Sequence, residues 1–157
     1  CSTYSSCAIC ISMYNTDKAK KVGRTVDISL DPLSTVPLYQ QIRDRVVEAI
    51  GRGELHRGDA LASVRQLAGA FAINPATVSK AYDQLRSEGL VATNAKSGSF
   101  VATDRDTAVA PPDYLAGFES RLTTLLAEGR ARGLSHEALQ DMCNNVMRSL
   151  DPPEEDQ

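Results

Sequence analysis

Apolar positions change their period along this chain. From Thr25 to Leu30, Val26, Ile28 and Leu30 alternate with polar residues, which predicts a short, half-buried strand ended by Asp31-Pro32. After Pro37 the spacing becomes helical. Leu38, Ile42, Val46 and Ile50 recur on one face, with Val47 beside them, and Gly51 and Gly53 end the run. A loop with Gly58 and Asp59 comes next. Ser63 then reads as an N-cap, and Gln66 completes a capping-box pattern. Val64, Leu67, Ala68 and Phe71 form the inner face of a short second helix ending near Ala72. Asn74-Pro75 starts a third helix, because Asn suits the N-cap and Pro the first helical position. Val78, Ala81, Tyr82 and Leu85 form its inner face, and Gly89 stops it. Leu90–Ala92 and Phe100–Ala102 read as paired strands around a turn from Thr93 to Ser99.

The C-terminal third is helical again. Tyr114, Phe118, Leu122, Leu125 and Leu126 mark a fourth helix. Ser135 caps a fifth, lined by Leu139, Met142, Cys143, Val146 and Leu150. Residues 1–24 show no period. They hold a basic cluster at Lys18, Lys20 and Lys21 and are expected to be disordered or weakly ordered.

Residues 64–82 carry the functional signal. Ala68 and Ala81 permit close crossing of the second and third helices, Ala72 begins the turn, and Ile73 and Val78 plug the space between. That is the spacing a helix-turn-helix needs. The expected fold is mostly α with a small β-hairpin. It comprises an extension (1–24), a winged helix-turn-helix domain (25–104), a linker (105–112), a helical hairpin (113–150) and an acidic tail (151–157). The outward face of the third helix presents Ala76, Thr77, Ser79, Lys80 and Asp83. Its tip is small enough for a major groove about 12 Å wide. Hydroxyls and helix-start N–H groups suit phosphate or base edges. Arg65 is placed to reach the backbone or a guanine edge, and Lys96 and Gly98 in the hairpin turn to meet an adjacent groove.

Charge alone argues against this reading, since the net is −3 from 17 basic and 20 acidic residues. Its distribution restores it. Residues 37–104 hold eight basic and seven acidic side chains, whereas residues 105–157 hold five and ten. The acidity lies away from the helix-turn-helix, and a local basic stripe can bind phosphate on an acidic chain.

The stretch from Val26 to Val101 resembles the GntR family of bacterial transcription regulators. The resemblance rests on "DPLSTVPLYQQIRDRVVEAIGRGEL", "GDALASVRQLAGAF", "INPATVSKAYDQLRSEGLV" and "KSGSFV". Ala62 departs from the family, which usually has Pro before the cap. Several related regulators have Arg where this chain has Pro75 or Ser79. The resemblance implies a dimeric winged-helix reader of palindromic DNA operators. Its DNA contacts fall on Ser63 and Arg65, on Asn74, Pro75, Ala76, Thr77, Ser79 and Lys80, and on Lys96, Ser97 and Gly98 of the wing. The 47 residues after Ala110 are too few for the effector or aminotransferase-like domains of larger relatives, and two helices cannot enclose a pocket of about 300 Å³. They are similar to the YtrA subfamily, in which a short helical pair serves dimerisation. This puts Tyr114, Phe118, Leu122, Leu125, Leu126, Leu139, Met142 and Val146 at the dimer contact. Members of that group often regulate transporter genes, and repression is the family default. No cofactor is implied, and any small-molecule effector is unnamed by the sequence.

Other classes have less to stand on. Cys7-x-x-Cys10 has the spacing of a redox dithiol or half a zinc site, but no second ligand pair, strand or helix accompanies it. His56 and His136 lack nucleophile or carboxylate partners at a motif spacing, and no phosphate loop is present, so no enzyme is expected. A winged helix that binds protein instead of DNA is the other alternative. Cysteine usage suggests a reducing, cytoplasmic setting. No apolar run reaches the roughly 20 residues of a membrane span. Cys7–Ile11 is too short for a signal peptide, and Met13 is a candidate true start.

Overall fold

Helix α1 (Leu38–Gly51) forms because its apolar positions recur every three to four residues, and it buries Ile42, Val46, Ala49 and Ile50. The structure is a computed structural model, and it describes residues 11–12, 27–96 and 98–151. Among these the order is β1 (Ile11–Ser12), β2 (Asp27–Ile28), α1, α2 (Val64–Phe71), α3 (Pro75–Ser87), β3 (Val91–Asn94), β4 (Gly98–Val101), α4 (Pro112–Ala131) and α5 (His136–Leu150). The chain is mostly helical, with a small antiparallel hairpin.

The sequence and the structure differ at the N-terminal side. The strand expected over Thr25–Leu30 is only Asp27–Ile28, and it pairs antiparallel with Ile11–Ser12. The latter lies in the segment expected to lack order. A strand of two residues is too short to show a period of two.

Helix α2 begins with a complete capping box. Ser63 Oγ accepts from the Gln66 N–H at 3.3 Å, and Gln66 Oε1 accepts from the Ser63 N–H at 2.9 Å. Helix α3 begins with Asn74, whose Oδ1 accepts from the Ala76 N–H at 2.8 Å, and with Pro75 in the first turn. Between them Ala72 takes the left-handed conformation at φ 52°, and the Ile73 N–H donates to Ala68 O at 3.0 Å. The turn therefore holds a glycine-like backbone without a glycine.

Helix α3 is the hub of the core. Val78, Ala81, Tyr82 and Leu85 on its inner face are all buried, and it lies against both α1 and α2. Leu30, Leu55, Leu61, Val91 and Val101 complete the cluster. An Arg43 guanidinium on α1 reaches Glu88 beyond the end of α3, with Arg43 Nη2 2.8 Å from the carboxylate, and it also reaches Asp44. Two carboxylates hold this guanidinium charged, so its pKa rises although partial burial opposes charge.

The hairpin strands run further than their apolar residues suggest. Pairing extends from Val91↔Val101 through Thr93↔Ser99 to Asn94↔Gly98, so the turn shrinks to residues 95–97. Gly98 has φ 70°, which closes this short connection. The segment read as a plain loop before α2 also joins the sheet. Ala60 bridges Phe100, the Leu61 N–H donates to Ser99 O at 2.9 Å, and the Gly58 N–H donates to Val101 O at 2.8 Å.

The chain divides into two compact units between Thr107 and Ala108. In the second unit α4 and α5 meet at a corner where Gly129 lies close under Leu139. A Cβ at Gly129 would stand 2.9 Å from Leu139 Cδ2. Neither helix buries a single residue fully.

Candidate nucleic-acid interface

Burial of one face of α3 dictates what the other can present. With Val78, Ala81, Tyr82 and Leu85 inward, the 3.6-residue period turns Ala76, Lys80 and Asp83 fully outward. Thr77 and Ser79 stand on the flanks and are half-buried, not fully displayed as the sequence suggested. Asn74 and Pro75 are exposed at the tip.

The helix start offers fewer free donors than expected. Pro75 has no N–H, and the Ala76 and Thr77 N–H groups already donate to Asn74. Asn74 Oδ1 is committed to the cap, which leaves its NH₂ outward. What remains at the tip is the positive end of the helix dipole and a surface free of long side chains.

The charged groups of this face fall into two sets. Asp83 pairs with Arg86, and Arg86 also reaches Thr93 Oγ1 on β3 at 3.4 Å, so that carboxylate is neutralised locally. Arg65 on α2 and Lys96 in the hairpin turn are exposed, and among the described residues neither has an ion-pair partner. Among the described residues Lys80 has no carboxylate partner either. Its ammonium instead lies 3.8 Å from the centroid of the Tyr39 ring on α1. The sequence reading missed Tyr39, because residues 39 and 80 come together only through the packing of α1 on α3.

Ser63 is exposed, and its oxygen accepts from the Gln66 N–H in the cap, which leaves the hydroxyl proton free to donate. In the hairpin turn the Lys96 N–H donates to Asn94 Oδ1 at 3.0 Å, an Asx-type contact that shapes the turn below the lysine. Gly98 is exposed, and Ser97 lies outside the described residues, as do Cys7 and Cys10. Thus α2, α3 and the hairpin belong to one unit, with Ser63, Arg65, Asn74, Pro75, Ala76, Lys80 and Lys96 exposed on it, Thr77 and Ser79 half-buried and Val78 buried between them.

The base of the hairpin is held by Asp104, the buried charged residue among those described. Its carboxylate accepts from the Arg57 N–H at 2.8 Å, and from the Thr107 N–H and hydroxyl at 2.9 and 2.5 Å. The Arg57 bond first, then Thr107, draw its pKa down to about 2.

In the second unit Tyr114, Phe118, Leu122, Leu125, Met142 and Val146 are exposed, whereas Leu126 and Leu139 are half-buried near the corner. Tyr114 and Phe118 stack with centroids 6.1 Å apart. Leu115 and Met147 are also exposed apolar positions that the sequence reading left out, although Leu115 lies three residues before Phe118 and so on the same face of α4.

No group of three His, Cys, Asp or Glu is placed to hold a metal among the described residues. The His56 imidazole has a carboxylate nearby, with Nδ1 3.9 Å from Asp59 Oδ2, but both side chains are open to solvent. No helix among the described residues is long and apolar enough to cross a membrane.

Comparison with known proteins agrees with this geometry. Residues 38–101 match the bacterial regulatory proteins of the gntR family. The HTH-type transcriptional repressor YtrA of Bacillus subtilis (strain 168) is 31% identical over 119 residues, covering 76% of this chain and 91% of the relative. The structure is similar to that of YtrA from Sulfolobus acidocaldarius, a GntR-family transcription factor. That likeness has a TM-score of 0.51 at 32% identity and covers 68% of this chain and 97% of the other. It is also similar to a transcriptional antiterminator from Listeria monocytogenes EGD-e, at a TM-score of 0.70 and 26% identity, over 77% and 90% of the two chains.

Proposed function

This chain belongs to the gntR family of bacterial regulatory proteins, and from that premise we propose that it is a sequence-specific repressor that binds a palindromic DNA operator as a homodimer. As a member of that family it is a transcription regulator with a DNA-binding domain. The observation that supports the finer reading is the contrast between the two faces of α3. One is buried throughout, while the other is uncovered, with a small tip and a neutralised carboxylate.

In this reading the first turn of α3, Asn74 to Thr77, enters the major groove, with Ser79 and Lys80 beside its walls. Ser63 and Arg65 meet the sugar–phosphate backbone or a guanine edge, and the wing residues Lys96, Ser97 and Gly98 approach the adjacent groove. Exposure, charge and position on the fold support these roles for the described residues, and Ser97 is included by the family resemblance. Thr25 to Asp104 serve as the DNA-binding domain, residues 105–112 as linker and residues 113–150 as the dimerisation element.

Support for the homodimer is the second unit itself. Two helices with no fully buried residue and a stripe of exposed aromatic and aliphatic side chains have no core of their own. Pairing two copies through Tyr114, Phe118, Leu122, Leu125, Leu126, Leu139, Met142 and Val146 covers that stripe. A two-fold dimer then presents two α3 helices to half-sites about 34 Å apart, one turn of the duplex. Repression is supported by the likeness to the Bacillus repressor, and control of transporter genes by the likeness to the YtrA group.

Selection of bound duplexes from a random library tests the reading. Recovery of an inverted repeat with half-sites one turn apart, bound with a steep salt dependence, is the expected result. Recovery of no preferred duplex, with capture of a protein partner on the same face, would establish the protein-binding alternative.

A further inference from the structure

We propose that Tyr39 is a positioning residue for Lys80: its ring holds the ammonium in place for a DNA phosphate at the wall of the groove. The inference deepens the DNA-binding reading and rests on it.

Lys80 lies at the centre of the outward face of α3, and its ammonium is 3.8 Å from the Tyr39 ring centroid, well inside the range of a cation–π contact. The local alternative is closed. Asp83, three residues further along the same face, is engaged by Arg86, so no free carboxylate competes for the lysine there. The platform is firm, since Tyr39 sits in the first turn of α1, half-buried and packed against the core.

A ring covers only one side of an ammonium group. Three N–H donors radiate from it, and those turned from the ring stay available to an anion. An exposed lysine loses much rotamer freedom when it settles on a phosphate, and a lysine already resting on a ring loses less. Position along the helix identifies the anion. Lys80 is six residues past Asn74, or about 9 Å along the axis at 1.5 Å per residue. The major groove is about 8.5 Å deep. A helix that enters by its first turn therefore carries Lys80 level with the backbone, while Asn74 to Thr77 approach the base edges.

The test is a mutant cycle read by fluorescence anisotropy on the full chain, with a duplex recovered by selection from a random library. Tyr39→Leu should weaken binding about threefold, the size of an exposed cation–π contact. Tyr39→Phe, which keeps the ring, should bind like the wild type. Lys80→Ala should weaken binding and lower the slope of log affinity against log salt by about one. Tyr39→Leu should add nothing in the Lys80→Ala background, and alone it should leave the salt slope unchanged. Thermal melting controls for folding, and Tyr39→Met, which keeps apolar bulk without a ring, replaces the leucine variant if that one melts early. Full additivity in the double variant, or no loss on removing the ring, overturns the assignment of Tyr39 while leaving DNA binding intact. A wild-type chain that retains no duplex overturns the functional reading itself.

Discussion

The Tyr82 hydroxyl on α3 donates to the Ala62 carbonyl at 2.7 Å, tying α3 to the residue just before the α2 cap. Tyr82 is buried, and burial drives its pKa far above the ordinary phenol value, so it stays a neutral donor at any working pH. Replacing it with Phe leaves a carbonyl without its donor inside the protein. Tyr82→Phe should lower stability by about 1–3 kcal/mol, the usual range for an orphaned buried polar group. Urea unfolding checks this, and an unchanged midpoint would show that water reaches Ala62 O in the variant.

Ala72 is strained in the opposite sense. A left-handed conformation costs a residue with a side chain roughly 1–2 kcal/mol, whereas glycine adopts it freely. Glycine also has more unfolded-state entropy to lose, roughly 0.5–1 kcal/mol. The balance favours Ala72→Gly by up to about 1.5 kcal/mol. A higher melting temperature is the expected result, and a lower one would show that unfolded-chain entropy dominates.

Arg65 and Lys96 should behave as phosphate or groove contacts that share one signature. Arg65→Ala and Lys96→Ala should each weaken operator binding and reduce the salt slope by about one. If Arg65 instead reads a guanine, its loss relaxes preference at one position of the selected sequence by about 1–3 kcal/mol. Binding that is unchanged in both variants would remove α2 and the wing from the interface.

Asp104 sets an acid limit on the first unit. Its folded pKa of about 2 lies below that of an unfolded aspartate. The linked stability is therefore fully present above the unfolded value and is lost as pH falls through the folded one. Unfolding midpoints measured from about pH 5 to pH 2 should fall for the wild type and fall less steeply for Asp104→Asn, which starts lower. Parallel curves would mean that other carboxylates carry the acid sensitivity.

The exposed stripe of α4 gives the last expectation. Phe118→Asp places a charge between Tyr114 and Leu122, where a partner copy would have to desolvate it. Sedimentation should show a dimer for the wild type and a monomer for the variant, with half-operator affinity retained. A dimeric variant would move the contact elsewhere.

Local features were legible in the sequence, and distant ones were not. The capping box at Ser63 and Gln66 and the Asn74-Pro75 start involve residues within a turn of one another, so a motif spells them out. The inner face of α3 follows from one helical period. The pairing of Ala60 with Phe100 spans forty residues and runs through backbone groups, which leave no trace in side-chain type. Thr93 and Ser99 extend the hairpin for the same reason, as exposed polar residues paired through the backbone and a 3.3 Å hydroxyl contact. Tyr39 under Lys80, and Asp104 against Arg57 and Thr107, depend on packing between elements and carry no spacing signal.

The first turn of α3 carries Pro75 and Ala76 at its exposed front and no extended side chain there. A bare tip separates scaffold from vocabulary. An exchange at Ala76 for a long polar residue leaves the buried face of the helix untouched, yet in the docking proposed above it would introduce a new reader at the closest point of approach to the bases. On that reading, one fold would be re-addressed to a different target by a single codon, without rebuilding what holds it together.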